Sequence, residues 1–566
     1  MSFETEQMER IVIYQVLPRL FGNTDSTCKP SGTIEENGCG KFADFTDAIL
    51  KSIKELSVTH IWYTGVIEHA TATDYSRYGI TPDNKYVVKG LAGSPYAIKD
   101  YYDVDPDLAT DVPDRMREFE QLVGRTHAAG MKVIIDFVPN HVARRYDSDS
   151  TPSDRRPIGA DDNTKLNFSS SNNFYYMPGT KFSPTFYIGE GKTRYSESPA
   201  KVTGNDCFTP SPSVNDWYET VKLNYGIDYM SGTKHFCPCP DTWIKMRDIL
   251  LFWASKGVDA FRCDMAEMVP VEFWQWCIAE VKKAYPEIIF IAEVYNPLLY
   301  RSYTETGGFD YLYDKVGLYD TLRAVLTGMR SAEAITWWWQ SLGEKLKDNM
   351  LHFTENHDEQ RMASPQFAGD AQRAFPLFAL SALVDRCPVM LYFGQELGEK
   401  GTDAEGFSGA DGRTTIFDYW SLSTVRKWVS KGVRGLSPKE KALRNRYKKL
   451  LAVATREKGI SEGGFFDMMY ANHNVPGFDI SRNYLFARRS EEALYIICTC
   501  FGPGSVSADI RIPSHMFEYW DLEEGDYQCT ELFTGESRQA AILPDGAFGI
   551  AASPYSTTVW KCVRKK

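Results

Sequence analysis

The sequence lacks any stretch that would anchor it in a membrane or attract it to a polyanion. None of its apolar runs approaches the roughly 20 residues that a membrane span needs. Acidic residues outnumber basic ones and give a net charge of -12, which argues against nucleic acid and anionic membrane surfaces as partners. A neutral, hydroxyl-rich ligand is compatible with this charge. The sequence carries no indication of an oligomeric state.

An export signal, a disulfide framework and a common zinc motif are also missing. The N-terminal stretch MSFETEQMER has no basic segment followed by an apolar one. Twelve cysteines in 566 residues do not make a disulfide scaffold. These features favour the cytoplasm, with the periplasm or the exterior as the alternative if a signal peptide has been removed. No HExxH zinc motif is present.

What the sequence does contain is an alternation of strand-like and helix-like segments from residue 11 to about 400. Most of these segments are separated by amphipathic stretches such as VPDRMREFEQLVGRTHAAG. The seven short apolar runs are RIVIYQVLP, VTHIWYTGV, MKVIIDFVPNH, GVDAFRCD, IIFIAEVY, MLHFTENHD and PVMLYFGQE. One helix-like stretch, DTWIKMRDILLFWASKG, ends at Gly257, a helix-stop residue. Repeated strand–helix units indicate an α/β fold with a parallel sheet, either doubly wound or closed into a barrel.

Two changes of pattern predict domain boundaries. Residues 143–242 are rich in Ser, Asn, Pro, Gly and Tyr, and they are too many for an ordinary barrel loop. We expect them to form a small domain inserted after the third strand, between two parts of a catalytic barrel at residues 1–142 and 243–470. Beyond about residue 470 the helices cease, and residues 471–566 are typical of a terminal antiparallel β domain.

Charged residues collect where four of the apolar runs end. The run VIID leads to Asp136, VDAF to Arg262 and Asp264, IFIA to Glu293, and LHFT to Glu355–Asp358. A buried charge needs a partner, or its pKa shifts until the group is neutral. One ion pair at a strand exit is adequately explained as structural. Four charged strand ends indicate a shared site instead, because a barrel places its chemistry at the carboxyl ends of its strands.

Three of these carboxylates suit the cleavage of a glycosidic bond with retention of configuration. That reaction needs a carboxylate nucleophile and a carboxylic acid roughly 5 Å away. Arg262 stands two residues before Asp264, on the same strand face, where its charge would lower the pKa of Asp264. Glu293 follows a very apolar run, where desolvation would raise its pKa. We therefore expect Asp264 to be the nucleophile and Glu293 the acid/base, with Asp358 binding sugar hydroxyls and favouring a distorted ring.

These motifs resemble those of the α-amylase family of glycoside hydrolases, family 13. DFVPNH, GVDAFRCD, IAEVY and ENHDEQR resemble its four motifs, GSPYAIKDYYDVDP its segment with a sugar-stacking tyrosine, and YFGQE its last strand. The resemblance covers nearly the whole chain and implies a (β/α)8 TIM barrel, a domain inserted after the third strand and a C-terminal antiparallel β-sandwich. It also implies residue roles: Asp264 as nucleophile, Glu293 as acid/base, Asp358 as transition-state stabiliser, and Tyr96, His141, Arg262 and His357 as substrate-binding or supporting residues.

The sequence departs from the family pattern at the calcium site. VKLNYG stands where many calcium-binding members carry an acidic residue, and here Lys222 occupies that place. Its charge would repel the ion. Asn140 matches a family calcium ligand but has no evident acidic companion. We therefore expect no required cofactor, with Asn140 as the one candidate calcium ligand. The lysine resembles the neopullulanase-like and maltogenic-amylase-like branch, which acts on maltooligosaccharides, pullulan or cyclodextrins.

Two further departures bear on specificity. Met265 follows the predicted nucleophile, where Thr or Val is usual in members of differing linkage preference, and Ala266–Met268 lacks the Lys-His pair of many amylases. The sequence predicts a hydrolase of α-1,4 links in starch-derived oligosaccharides that works through a covalent glycosyl-enzyme. One alternative is a transglycosylase of the same family, in which a sugar hydroxyl replaces water. The other is a non-catalytic sugar-binding subunit, which the presence of all three carboxylates argues against.

Overall fold

A computed structural model describes residues 10–403 and 409–565 of the protein. Residues 1–9 lie outside the described residues; they open the first predicted domain and hold most of the stretch examined for an export signal. Residue 566, the last of the predicted β domain, lies outside them as well. Within the described ranges, no helix combines the length and the apolar composition that crossing a bilayer requires.

Eight parallel strands form a closed barrel, which confirms the predicted fold class. They are β1 (Val12–Val16), β2 (His60–Tyr63), β3 (Lys132–Phe137), β4 (Ala260–Cys263), β5 (Ile289–Ala292), β6 (Tyr311–Tyr313), β7 (Met350–Phe353) and β8 (Val389–Tyr392). The order around the barrel is β1-β8-β7-β6-β5-β4-β3-β2, and β2 pairs with β1 to close the ring. The apolar runs predicted seven of these strands. They missed β6, because its three residues lie between Asp310 and Asp314 and form no apolar run.

Alternate residues of the strands fill the barrel interior. Ile13, Trp62, Ala260 and Ile291 belong to one buried cluster inside the barrel, whereas the residues between them in the strands pack against the surrounding helices. Side chains two positions apart in a strand share a face. Arg262, two residues beyond Ala260, therefore points toward the barrel axis at the carboxyl end of β4.

Amphipathic helices cover the outside of the barrel. In the helix Asp47–Lys54, Ile49, Leu50 and Ile53 are buried, and the hydroxyl of Thr46 accepts the N–H of Ile49 as an N-cap. The described helices of seven or more residues are Asp47–Lys54, Arg115–Ala128, Asp241–Ser255, Val271–Ala284, Asp320–Leu326, Ala334–Leu342, Ala371–Leu383, Ser423–Lys431, Pro438–Arg456 and Ser514–Trp520.

The predicted helix-stop glycine lies at the turn that leads into β4. The preceding helix ends at Ser255, and Gly257 has a φ of +87°. Glycine adopts this left-handed conformation without the steric cost that a side chain would add. The turn delivers the following residues, Arg262 and Asp264 among them, to the carboxyl end of the barrel.

The segment between β3 and β4 contains short strands and is tied to the barrel next to the site. Three antiparallel pairs occur there: His141–Ala143 with Thr220–Lys222, Tyr176–Met177 with Ala200–Lys201, and Ile227–Asp228 with Thr233–Lys234. The first pair joins the segment to the residues directly after β3. The predicted boundary between residues 142 and 143 falls inside that pair, and the domain boundaries remain predictions.

The C-terminal part of the chain forms antiparallel sheets. Its strands are β9 (Gly464–Asp467), β10 (Asn483–Arg489), β11 (Leu494–Cys500), β12 (Val506–Arg511), β13 (Gly525–Glu531), β14 (Ser537–Ile542), β15 (Ala547–Ala552) and β16 (Thr557–Arg564). One sheet has the order β9-β10-β11-β16-β13-β14, and β12 pairs with β15. The prediction that helices cease near residue 470 is wrong in one place, the helix Ser514–Trp520. It forms because Met516 and Phe517 are buried on one side of a single two-turn segment.

Candidate active site

The carboxyl ends of the barrel strands bring the predicted site residues together. A single cleft is lined by Tyr96, His141, Asp264, Glu293, His357 and Asp358, among others. Arg262 lies beneath the cleft with its side chain fully buried. Residues from distant parts of the sequence meet here because parallel barrel strands end at one rim. All seven predicted residues thus belong to one site.

Arg262 is the ion-pair partner of three carboxylates. Its Nη1 atom lies 2.8 Å from Oδ1 of Asp264 and 3.3 Å from Oδ1 of Asp136, which is its direct neighbour on β3. Its Nη2 atom lies 2.7 Å from Oε2 of Glu293, and its Nε atom donates to the Tyr313 hydroxyl at 3.2 Å. One positive charge therefore compensates only part of the negative charge in the cluster.

Asp264 does not have the lowered pKa that the sequence argument expected. Burial raises the pKa of Asp264 well above its ordinary value; Arg262 opposes that shift, and Glu293 and Asp136 add to it by repulsion. The expectation was wrong because it considered the charge of Arg262 and left out burial, the largest cause, together with the repulsion from Glu293 and Asp136. The Oδ2 atom of Asp264 is buried and has no hydrogen-bond partner among the described residues. Since Asp264 lines the cleft, this oxygen is available to a ligand.

Glu293 is held by two hydrogen bonds and one ion pair. Its Oε2 atom accepts the backbone N–H of Met265 at 2.8 Å and lies 2.7 Å from Arg262. Its Oε1 atom accepts the hydroxyl of Tyr295 at 2.7 Å. Met265 adopts φ 42° and ψ 42°, a left-handed conformation that few residues other than glycine occupy. This turn directs the Met265 N–H at Glu293 and so fixes the carboxyl group beside Asp264.

Tyr96 and His357 are stacked and hydrogen-bonded to each other. Their rings are 5.2 Å apart at 24°, and the Tyr96 hydroxyl lies 2.6 Å from Nε2 of His357. The side-chain nitrogen of Gln15 lies 2.8 Å from Nδ1 of His357. An amide nitrogen can only donate, so Nδ1 accepts and Nε2 is the ring nitrogen that carries a proton. The Tyr96 hydroxyl also donates to Asp136 at 3.4 Å, which links this wall of the cleft to the Arg262 cluster.

Asp358 is the most exposed of the predicted catalytic carboxylates. About a third of its side chain is exposed (32%), and its Oδ2 atom lies 3.0 Å from Nε2 of His357. Burial raises the pKa of Asp358, but His357 and Arg262 outweigh that effect and the pKa is lowered overall. Asp358 is therefore a carboxylate at neutral pH and faces the cleft.

The inserted segment delivers a lysine to the candidate calcium ligand. The buried Lys222 donates from Nζ to Oδ1 of Asn140 at 2.9 Å and lies 2.6 Å from Asp206. Lys222 is also the strand partner of His141. Burial and the Lys222 charge lower the pKa of His141 to about 3, so the imidazole is neutral. The oxygen that Asn140 would offer to calcium is bonded to an ammonium group, and the residues present do not fit a calcium ion.

Apart from Asn140, two groups of described residues each place three potential metal-ligand atoms within 4.8 Å of one another. Neither group includes Asn140 or a residue of the cleft. They are His352, Asp385 and Cys387, and Glu68, Asp100 and Asp149.

Sequence reasoning assigned no role to four residues that shape the site. Asp136 accepts from Arg262 and, at 2.9 Å, from the indole N–H of Trp62. Tyr295 bonds Glu293, and Tyr313 bonds Arg262. Asp136 and Tyr295 follow predicted apolar runs, which was a usable signal. Trp62 lies inside β2 and Tyr313 ends β6, which no apolar run predicted, and the partners of both are set by the closure of the barrel.

A comparison with models of known protein families assigns the chain to one of them. The model described as "Alpha amylase, catalytic domain" matches residues 15–417. The chain belongs to the alpha-amylase family. The resemblance that the motifs predicted is thus confirmed, and this alpha-amylase family member is a glycoside hydrolase-type enzyme acting on O-glycosyl bonds.

Relatives with assigned names include amylases and transferases. Alpha-amylase 3 of Dictyoglomus thermophilum is 24% identical over 392 residues, covering 65% of this chain and 68% of that protein. An alpha-1,4-glucan:maltose-1-phosphate maltosyltransferase of Cereibacter sphaeroides is 40% identical over 208 residues, covering 36% of this chain and 25% of that protein. Neopullulanase 2 of Thermoactinomyces vulgaris is 20% identical over 409 residues, covering 70% and 58%. The chain therefore spans only part of the length of the last two relatives.

Solved structures of similar fold extend over the whole chain. A noncanonic maltogenic alpha-amylase, AmyB, from Thermotoga neapolitana has a TM-score of 0.63 at 18% identity and covers 99% of this chain and 100% of its own. The alpha-amylase GTA of Geobacillus thermoleovorans, solved with acarbose, has a TM-score of 0.64 at 18% identity, with coverage of 98% and 99%. At these identities the likeness establishes the fold.

Proposed function

We propose that this alpha-amylase family member is a retaining hydrolase of α-1,4-glucosidic bonds in starch-derived oligosaccharides. The observation that carries the proposal is the shared guanidinium of Arg262, whose two terminal nitrogens lie 2.8 Å from Asp264 and 2.7 Å from Glu293. Two carboxyl groups on one planar fork lie side by side. This arrangement suits the short carboxyl separation of retaining enzymes better than the wider one that admits a water in inverting enzymes.

The proposed reaction has two steps. In the first, Oδ2 of Asp264 forms a bond to the anomeric carbon, the bond from that carbon to the leaving oxygen breaks, and Glu293 gives that oxygen its proton. In the second, Glu293 takes a proton from water, the water oxygen bonds to the anomeric carbon, and the ester to Asp264 breaks. The mechanism requires Asp264 to be ionised and Glu293 to carry a proton when substrate is bound.

The remaining cleft residues are proposed to bind and distort the sugar. Asp358, with its lowered pKa, supplies a carboxylate for sugar hydroxyls and for the positive charge that develops on the ring in the transition state. The stacked Tyr96 and His357 offer a ring face together with a fixed hydrogen-bonding edge. His141 is neutral and hydrogen-bonds hydroxyls without adding charge. We also propose that calcium takes no part, because Lys222 holds Asn140.

Transfer of the glycosyl group to a sugar hydroxyl is the second candidate function. The 40% identity to maltosyltransferases over 208 residues favours it. The two reactions would share the glycosyl-enzyme on Asp264 and differ in whether water or a sugar hydroxyl accepts the glycosyl group. The name of those relatives also makes maltose 1-phosphate a donor to be tried.

A timed product profile distinguishes these functions. The protein is incubated with maltoheptaose, pullulan, a cyclodextrin, and maltose 1-phosphate with a maltooligosaccharide acceptor, and the Asp264→Asn variant serves as the control. Shorter maltooligosaccharides as the main products support hydrolysis, whereas products longer than the starting sugar support transfer. Absence of any product that depends on Asp264 would overturn the proposal.

A further inference from the structure

A lysine and a glutamate line the catalytic cleft without a part in the proposed chemistry. Lys89 lies on the loop that carries Tyr96, and Glu219 immediately precedes the strand Thr220–Lys222. Nζ of Lys89 lies 3.6 Å from Oε1 of Glu219. The ion pair joins a loop of the barrel to the inserted segment, and both residues line the same cleft as the catalytic carboxylates.

Glu219 has a buried oxygen that the described residues leave unbonded. Its side chain is only 6% exposed, and its Oε2 atom has no hydrogen-bond partner there. Burial raises the pKa of Glu219, and the charge of Lys89 opposes the shift. Buried polar atoms are nearly always hydrogen-bonded in native proteins, and each exception needs an explanation. At the wall of a substrate cleft, a ligand that supplies the missing hydrogen bond is such an explanation.

The surroundings of the pair match the chemistry of a sugar ring. Lys89 is about a third exposed and can donate to a ligand as well as to Glu219. Its ammonium group lies 5.1 Å from the centre of the Phe417 ring, and the Trp217 ring also lines the cleft. A pyranose presents hydroxyl donors and acceptors at its edge and C–H groups on its faces. The ammonium group of Lys89 and the carboxyl group of Glu219 suit the hydroxyl groups of such a ring. The aromatic rings of Phe417 and Trp217 suit its C–H faces.

The chain segments that carry the pair indicate which sugar it faces. Lys89 and Tyr96 share a loop, and Glu219 is next to the strand paired with His141. Tyr96 and His141 are the residues expected to bind the sugar at the cleavage point. The leaving group lies instead by Glu293, whose carboxyl group is bonded by Tyr295 and Met265. The pair therefore belongs to the side of the cleaved bond that stays attached to the enzyme.

We propose that Lys89 and Glu219 form a hydroxyl-binding subsite for the second glucosyl unit on the glycosyl side of the cleaved bond. This inference rests on the proposed function. The pair would then make the enzyme prefer longer substrates. A substrate with two glucosyl units on the glycosyl side of the cleaved bond reaches the pair, and a substrate with one does not.

Two aryl glycosides test the subsite. p-Nitrophenyl α-glucoside places one glucosyl unit on the glycosyl side, and p-nitrophenyl α-maltoside places two. For Glu219→Gln and Lys89→Met, kcat/KM for p-nitrophenol release from the maltoside should fall about tenfold, while that for the glucoside stays within about twofold. The exposed residues of the same two chain segments give matched controls, Lys85→Met and Glu190→Gln, which should retain wild-type values. Equal losses on both substrates, or no loss on either, would overturn the subsite.

Calorimetric titration tests the subsite proposal independently of the proposed hydrolase function. Maltoheptaose is titrated into the Asp264→Asn variant with and without Glu219→Gln, which measures binding without turnover. A roughly tenfold weaker Kd in the double variant supports the subsite, and equal Kd values, or no binding to either variant, overturn it. If the wild type does not cleave one of the aryl glycosides, this titration alone tests whether Lys89 and Glu219 form the subsite. If it cleaves no glucan at all, the proposed function fails while the titration still decides the subsite.

Discussion

The ammonium nitrogen of Lys222 lies 2.9 Å from the side-chain oxygen of Asn140. Asn140 is the residue whose family counterpart binds calcium, and Lys222 also pairs with Asp206 at 2.6 Å. The ammonium group thus bonds the Asn140 oxygen and pairs with a carboxylate that could otherwise contact a cation. A divalent cation at the Asn140 oxygen would meet this ammonium group at contact distance and be repelled by it.

Chelation should therefore leave the activity of the protein unchanged. After exhaustive EDTA treatment, we expect the same hydrolysis rate and the same melting temperature as before, because Lys222 already bonds the Asn140 oxygen. The measurement is paired, with one sample treated with EDTA and the other with EDTA followed by excess calcium. A large loss of activity that calcium restores would contradict this interpretation of Lys222.

Replacing the lysine should destabilise the protein. In Lys222→Met the buried oxygen of Asn140 loses its donor, which costs roughly 1–3 kcal/mol of unfolding free energy. Asp206 contributes less to the loss because its side chain is 39% exposed. Chemical unfolding of the variant measures the effect, and Lys192→Met, at an exposed position of the inserted segment, is the control. Equal stability of the two variants would mean that the buried contact contributes nothing.

Removal of the predicted nucleophile should abolish turnover without loss of the fold. We expect Asp264→Asn to lower kcat by about 10³-fold or more. The melting temperature should change little, because the substitution takes one negative charge from a cluster in which three carboxylates share Arg262. Steady-state kinetics and thermal melting are compared with Asp348→Asn, an exposed aspartate. Wild-type rates in Asp264→Asn would rule out its assigned role.

Loss of the shared cation should destabilise the protein in a pH-dependent way. Arg262→Gln leaves Asp136, Asp264 and Glu293 without a counter-charge, and we expect a cost of about 3–5 kcal/mol at pH 7.5. The cost should shrink toward pH 5, where carboxyl groups of the cluster bind protons more readily. Urea unfolding at both pH values tests this.

The control for that experiment is an exposed ion pair. Arg386 pairs with Asp348, and both side chains are about half exposed. Arg386→Gln should cost less than about 1 kcal/mol at either pH. A pH-independent cost for Arg262→Gln would show that lost packing, rather than unpaired charge, is responsible.

The sequence predicted the site better than it predicted the charges within the site. Asp264 and Glu293 follow apolar runs, and the barrel rule places such residues at one rim, so local patterns were enough to find them. The pKa of Asp264 was predicted wrongly because the sequence argument considered Arg262 and omitted both the burial of Asp264 and the neighbouring carboxylates. The contacts of Arg262 with Asp136 and Glu293 depend on the neighbouring strands and their register, which the spacing of residues along β4 does not contain.

The pair Lys89 and Glu219 shows a second limit of sequence reasoning. The two residues are 130 positions apart, and no local sequence pattern brings them together. Their contact exists because the inserted segment folds back onto a barrel loop, through the pairing of His141–Ala143 with Thr220–Lys222. The three-residue β6 was missed for a related reason. Its place in the barrel depends on hydrogen bonds to β5 and β7 and has little local signal.

A buried glutamate next to the catalytic motif should make stability fall as the pH rises. Glu355 is 2% exposed; burial raises its pKa from 4.5 to about 7, although Arg361 at 3.1 Å and the Met362 N–H oppose the shift. Between these two values the folded state holds a proton that the unfolded state has lost. The protonated Glu355 therefore contributes fully to the unfolding free energy below about pH 4.5, and this contribution is lost as the pH rises through 7.

Glu355→Gln keeps the shape of the side chain and removes this titration. From pH 5 to pH 8 the unfolding free energy of the wild type should fall by roughly 2–3 kcal/mol more than that of the variant. The change has the opposite sign to that of His141, whose lowered pKa makes stability rise with pH between about 3 and 6.5. Urea unfolding across this range measures the difference, with Glu287→Gln, an exposed position, as the control. Parallel pH curves for the wild type and Glu355→Gln would mean that Arg361 keeps the glutamate ionised in the folded state.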